Sequence, residues 1–119
     1  MGPLEGYRVL DFTGEIGQFC GKLMGEMGAD VVKVEPLEGE PWRLQAEVIP
    51  KESKSFLVQN RGKRGLALNF KDPRSAPIRD ALITWADVLL TNYRPGVPEQ
   101  LGIDYESLKK ANKRILLAS

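Results

Sequence analysis

Short apolar runs alternate with amphipathic stretches along the whole chain, and turn-forming residues separate them. Tyr7–Phe12 (YRVLDF), bounded by Gly6 and Gly14, predicts a buried strand. From Ile16 the apolar residues Ile16, Phe19, Cys20, Leu23, Met24 and Met27 recur at the spacing of one helix face, which places Cys20, Met24 and Met27 in the core; Gly28 ends the run. Asp30–Glu35 (DVVKVE) is β-branched and stops at Pro36, so the first unit is strand, helix, strand, with a right-handed parallel crossover expected. Pro36, Pro41 and Pro50 break any period between Pro36 and Gln59, which predicts a long surface excursion. Leu66–Phe70 predicts the next strand. Asp72 and Pro73 then form a helix start, followed by the stripe Ile78, Ala81, Leu82 and Trp85. Val88–Thr91 predicts another buried strand, Asp104 a helix cap with Ile103 packing on Leu108, and Arg114–Ala118 a last strand. Strands alternating with helices from end to end imply one folding unit, residues 1–119, built as an open α/β sheet with helices on both faces.

Composition narrows the function without choosing it. The 119 residues are 42% hydrophobic and 28% charged, as in ordinary soluble domains. A net charge of +1 provides no field that would draw nucleic acid or an anionic membrane. The single cysteine cannot pair within the chain and histidine is absent, so no zinc cage is expected and a reducing cytoplasm fits best. No apolar run approaches the roughly 20 residues that span a bilayer, and the first residues carry no secretion pattern.

In open α/β sheets ligands bind where strands end at their carboxyl side. After the first predicted strand, Gly14 and Gly17 allow close backbone approach, and the helix start offers N–H groups to an anion; the same glycines equally shape a tight turn. Glu35 stands where dinucleotide-binding folds hold a ribose, although the glycine spacing differs from G-x-G-x-x-G. Asn60–Arg64 (NRGKR) concentrates positive charge, with Lys71 and Arg74 beyond the following strand; such a run is either a solvated turn or a phosphate contact. Asn92, Tyr93 and Arg94 follow a strand with an amide, an aromatic ring and a guanidinium suited to an adenine, and Pro95–Gly96 equally make a turn.

Taken in order, RVLDFT, GQFCGKLMGEMGADVVKVEP, NRGKRGLALNFKDP and ADVLLTNYRPGVPEQLGIDYESLKKANKRILLAS resemble the N-terminal section of family III CoA-transferases, over about Leu4–Ser119. That family includes formyl-CoA and carnitine CoA-transferases and related acyl-CoA racemases. The resemblance implies a Rossmann-like, mostly parallel sheet that binds CoA or an acyl-CoA as substrate without a metal, in a larger enzyme whose chains form interlocked dimers. It places CoA contacts at Ile16, Gly17 and Gln18, at Leu68 and Lys71, at Asn92, Tyr93 and Arg94, and at Gln100 and Leu101. Gln18 stands where many members have proline, and Gln100 and Leu101 where some have arginine and methionine. The family's catalytic aspartate, which carries the acyl anhydride and the CoA thioester, lies beyond the stretch matching Ala118–Ser119. The racemases' histidine and aspartate do too, so no catalytic residue falls in this chain and by itself it is expected to be inactive.

Two further readings stand beside this one. The chain is a non-catalytic assembly module pairing through an exposed sheet edge, or it is an NAD-type dinucleotide binder, for which Glu35 speaks and the glycine spacing does not.

Overall fold

The apolar runs form a parallel sheet. In the computed structural model, which describes residues 2–14, 17–44 and 53–119, the strands are β1 (Arg8–Asp11), β2 (Asp30–Glu35), β3 (Arg64–Ala67), β4 (Val88–Leu90) and β5 (Leu116–Ala118). Their order is β3-β2-β1-β4-β5, every pair parallel. The chain moves outward in one direction from β1 to β3, then returns to the other side of β1 for β4. The β1–β4 boundary is therefore the topological switch point, where the crevice of such sheets opens.

Strand alternation sorts the core into two layers. Leu10, Phe12, Val32, Val34 and Leu89 point to one face and pack with Ile83, Ile103, Leu108 and Ile115 beneath α3 (Ala76–Trp85) and α5 (Tyr105–Ala111). Val9, Val31 and Leu90 point to the other face with Ala29 and Met24, beneath α1 (Gln18–Glu26). Asp104 caps α5 by accepting from the Ser107 N–H, and Ile103 and Leu108 on either side of that cap are wholly buried, the staple the sequence predicts. Among the described residues no helix is long and apolar enough to cross a membrane.

Several expectations change. Of the described apolar stripe of α1, Met24 packs on the sheet, but Phe19 is 49% and Met27 40% exposed and Cys20 is exposed, whereas Gln18 and Gly21 are the buried positions. In α3 the buried residue is Ile83, while Ile78 and Ala81 are exposed. β3 starts at Arg64 rather than Leu66, because its register with β2 pairs Arg64 with Val32 and Ala67 with Glu35. The excursion from Pro36 contains a 3-10 turn (Pro41–Leu44) and the helix α2 (Lys54–Gln59), capped by Ser53, whose hydroxyl accepts from the Phe56 N–H. A further short helix, α4 (Val97–Leu101), follows β4. Asp72 caps a 3-10 turn that runs into α3, not α3 itself.

Candidate functional site

Beneath α1 the sheet surface changes from apolar to charged along the strands. Val9 is followed on the same face of the chain by Asp11 and Thr13, and Val31 by Lys33 and Glu35, and all four of these polar side chains are buried. A buried charge is tolerated only with a partner and filled hydrogen bonds. The Asp11 carboxylate accepts from Lys63 Nζ at 2.5 Å through Oδ2, and from the Thr13 N–H at 2.8 Å and the Thr13 hydroxyl at 2.5 Å through Oδ1. Lys63 also donates to the Gln18 carbonyl and to Asn60 Oδ1, each at 2.8 Å. Lys33 donates to the Thr13 carbonyl at 2.8 Å; burial pushes its pKa down, against the pull of Asp11. Gln18 accepts from Asn60 and donates to Glu40 at 3.1 Å. This network explains the first turns of the helix: there α1 lies on charged groups, so its inner face carries a glutamine and a glycine before Met24 reaches the apolar layer. A side chain at Gly21 would place its Cβ 2.6 Å from Asp11 Oδ2.

Glu35 is engaged at the end of β2. Both its oxygens accept from Arg43 at 2.7 Å, and one also accepts from the Glu40 N–H at 2.8 Å. Burial would raise the Glu35 carboxyl; the Arg43 guanidinium and the Glu40 amide outweigh it and hold the group below the ordinary value of 4.5. A depressed pKa means the stabilisation is present at neutral pH and is lost as pH falls through the folded value. The stability gap between the wild type and Arg43→Ala, measured by urea unfolding, is expected to shrink as pH drops below about 4; a gap of constant size down to pH 3 would refute the assignment. With its carboxylate filled, Glu35 is not the open ribose acceptor of a dinucleotide site.

The basic run resolves the same way. Lys63 is buried on Asp11, Arg61 pairs with Glu26 at 2.7 Å, and Arg64 pairs with Asp30 at 2.7 Å. Only Lys63 is buried; Arg61 and Arg64 stay largely exposed beside their carboxylates, so the solvated-turn reading of NRGKR holds for these two and gives way to a structural role for Lys63.

Above this layer a cleft of about 390 Å³ opens at the carboxyl ends of β1, β2 and β3 and the exit of β4, in the size range of small-molecule sites. Phe12, Thr13 and Gly14 form its floor, Pro36, Leu37 and Glu38 one wall, Leu68, Phe70 and Lys71 the other, and Tyr93 and Leu101 close one end. The walls are mostly apolar, which suits a flat heterocycle, and exposed Lys71 supplies positive charge at the rim. Burial, with the nearby Asp11 charge, raises the Tyr93 phenol, so it stays a neutral hydrogen-bond donor at neutral pH.

Of the residues nominated from sequence, Leu68, Lys71, Tyr93 and Leu101 line this cleft together. Asn92 is exposed, outside the lining, and its carboxamide binds both backbone groups of Gly14. Gly17 caps α1 and donates to the Gly14 carbonyl, so its close approach is to protein. Gln18 is buried in the network and turned from the cleft. Arg94 and Gln100 are exposed and outside the lining. Ile16 lies outside the described residues. Sequence reasoning missed Asp11, Lys33 and Glu40; the available signal for the first two was a charge with apolar neighbours on both sides inside a predicted strand.

A family model described as CoA-transferase family III matches residues 4–119. A formyl-CoA:oxalate CoA-transferase from Rhodopseudomonas palustris (strain TIE-1) is 41% identical over 98% of this chain and 28% of its own. The succinyl-CoA–L-malate CoA-transferase beta subunit of Chloroflexus aurantiacus is 38% identical over 97% of this chain and 29% of its own. Among solved structures, a CAIB/BAIF family protein from Brucella suis superposes with a TM-score of 0.90 at 30% identity, covering 98% of this chain and 32% of that one. The chain thus spans under a third of the length of these relatives.

Proposed function

Because the chain belongs to CoA-transferase family III, we propose that its cleft holds the nucleotide end of CoA within a larger enzyme that transfers CoA between carboxylic acids. One observation carries this reading: Leu68, Lys71, Tyr93 and Leu101, nominated from separate sequence motifs, meet in a single cleft. The adenine ring inserts between the Pro36–Leu37 wall and the Leu68–Phe70 wall, Tyr93 donates a hydrogen bond, and Lys71 meets a phosphate. CoA transfer through an aspartyl-CoA thioester belongs to an aspartate outside these 119 residues, so the chain alone binds without turnover. Its partners are a CoA thioester and the remaining portion of a homo-oligomeric enzyme in the cytoplasm.

Calorimetric titration with CoA, dephospho-CoA, AMP and NAD tests the reading. CoA is expected to bind, AMP to compete with it, and NAD to bind no better than AMP. No binding by CoA, or a preference for NAD, would overturn it.

The assembly reading keeps one specific support. Phe19, Leu23 and Met27 on α1 and Leu116 on the outer strand β5 leave large apolar side chains exposed among the described residues. Light scattering separates the cases: a monodisperse monomer speaks against self-association through these surfaces.

A further inference from the structure

β1 and β4 pair in register from Val9 with Val88 to Asp11 with Leu90, and the Phe12 N–H still reaches the Leu90 carbonyl at 2.9 Å. Beyond that point the strands diverge and the ladder has no next rung. Gly14 nevertheless has both backbone groups filled from the β4 side: its N–H donates to Asn92 Oδ1 at 2.9 Å, and its carbonyl accepts from Asn92 Nδ2 at 2.7 Å. A carboxamide carries a donor and an acceptor side by side, so it can do for one extended residue what a neighbouring strand does. Thr13 is held just as fully, its N–H by Asp11 and its carbonyl by Lys33.

We propose that Asn92 is a positioning residue: its carboxamide replaces the missing rung at the switch point and clamps the Thr13–Gly14 floor at the height the ligand needs, without itself touching the ligand. Asn92 is absent from the cleft lining, whereas Gly14, which it binds, and Tyr93, its neighbour in the chain, are both part of it. One side chain thus couples the floor from β1 to the end wall from β4. The network beneath, with Lys63 on Asp11 and Lys33 on Thr13, holds the other side of the same corner. Aspartate would turn a carboxylate oxygen toward the Gly14 carbonyl, and alanine would leave the Gly14 N–H open and its carbonyl to the Gly17 N–H.

This inference rests on the cleft being a CoA site, and its test separates the two. Asn92→Ala and Asn92→Ser are titrated with CoA, dephospho-CoA and 3′,5′-ADP, and amide hydrogen exchange is followed at Gly14, with Leu10 and Leu89 reporting that the sheet is intact. A clamp predicts about tenfold weaker binding of all three ligands alike and about tenfold faster exchange at Gly14 without ligand. A loss confined to one ligand would make Asn92 a direct contact and overturn the proposal. Unchanged exchange at Gly14, in whichever variant keeps Leu10 and Leu89 protected, would overturn it whatever the affinities. If the wild-type chain binds none of the three, the CoA reading falls, and Gly14 exchange alone decides the clamp.

Discussion

Replacing Lys63 with methionine is expected to destabilise the protein by about 3–5 kcal/mol, a large share of the roughly 5–15 kcal/mol that holds a domain of this size together. The Lys63 side chain is 2% exposed and lies 2.5 Å from a carboxylate that is fully buried. Removing the ammonium leaves Asp11 charged in a site water does not reach, and strips the Gln18 carbonyl and the Asn60 side chain of their donor. The double replacement Asp11→Asn with Lys63→Met removes both charges and is expected to regain much of the loss, because an uncompensated charge costs more than the pair contributes. Urea unfolding of the single and double variants measures the coupling. A single-variant loss below about 1 kcal/mol, or losses that simply add, would show that the pair behaves as if it were at the surface.

Lys71→Glu is expected to weaken CoA binding about a hundredfold while moving the unfolding free energy by less than about 0.5 kcal/mol. Lys71 lies on the rim, exposed, and the Asn69 side chain fixes its backbone by accepting from its N–H at 3.1 Å. Its ammonium makes no described side-chain contact and is available to a phosphate; reversing the charge turns attraction into repulsion. Wild-type affinity is expected to fall as salt rises, and the variant's to fall less. Comparing CoA with dephospho-CoA identifies the phosphate involved. Equal affinity of wild type and variant for CoA would remove Lys71 from the site and take the cleft's only rim cation among the described lining residues with it.

Several parts of this fold were legible before any coordinates. Asp30–Glu35 forms a strand over just those residues, because β-branched residues between an acidic start and Pro36 leave little alternative. Asp104 with Ile103 and Leu108 forms its cap and staple as read, since both interactions lie within one helical turn. The short helices α2 and α4 were not visible: five or six residues are too few for a period to show, and their stability comes from neighbours. The α1 stripe holds at Met24 and fails at Phe19, Cys20 and Met27, because periodicity says that a helix has two faces, not which face is buried.

The chain's own letters determined the number and order of its strand-forming runs, their family resemblance and the residues worth testing, since these depend on local pattern. Tertiary structure alone decided which polar side chains are available. Gln18 and Lys63, candidate ligand groups by sequence, are consumed by buried partners far along the chain, and Glu35 by Arg43 and the Glu40 N–H in the segment just after it, whereas Lys71 and Tyr93 line the cleft. The physical reason is that a hydrogen bond or ion pair is made by proximity in space, and Asp11 meets Lys63, and Gly14 meets Asn92, only after the parallel sheet has closed the distance.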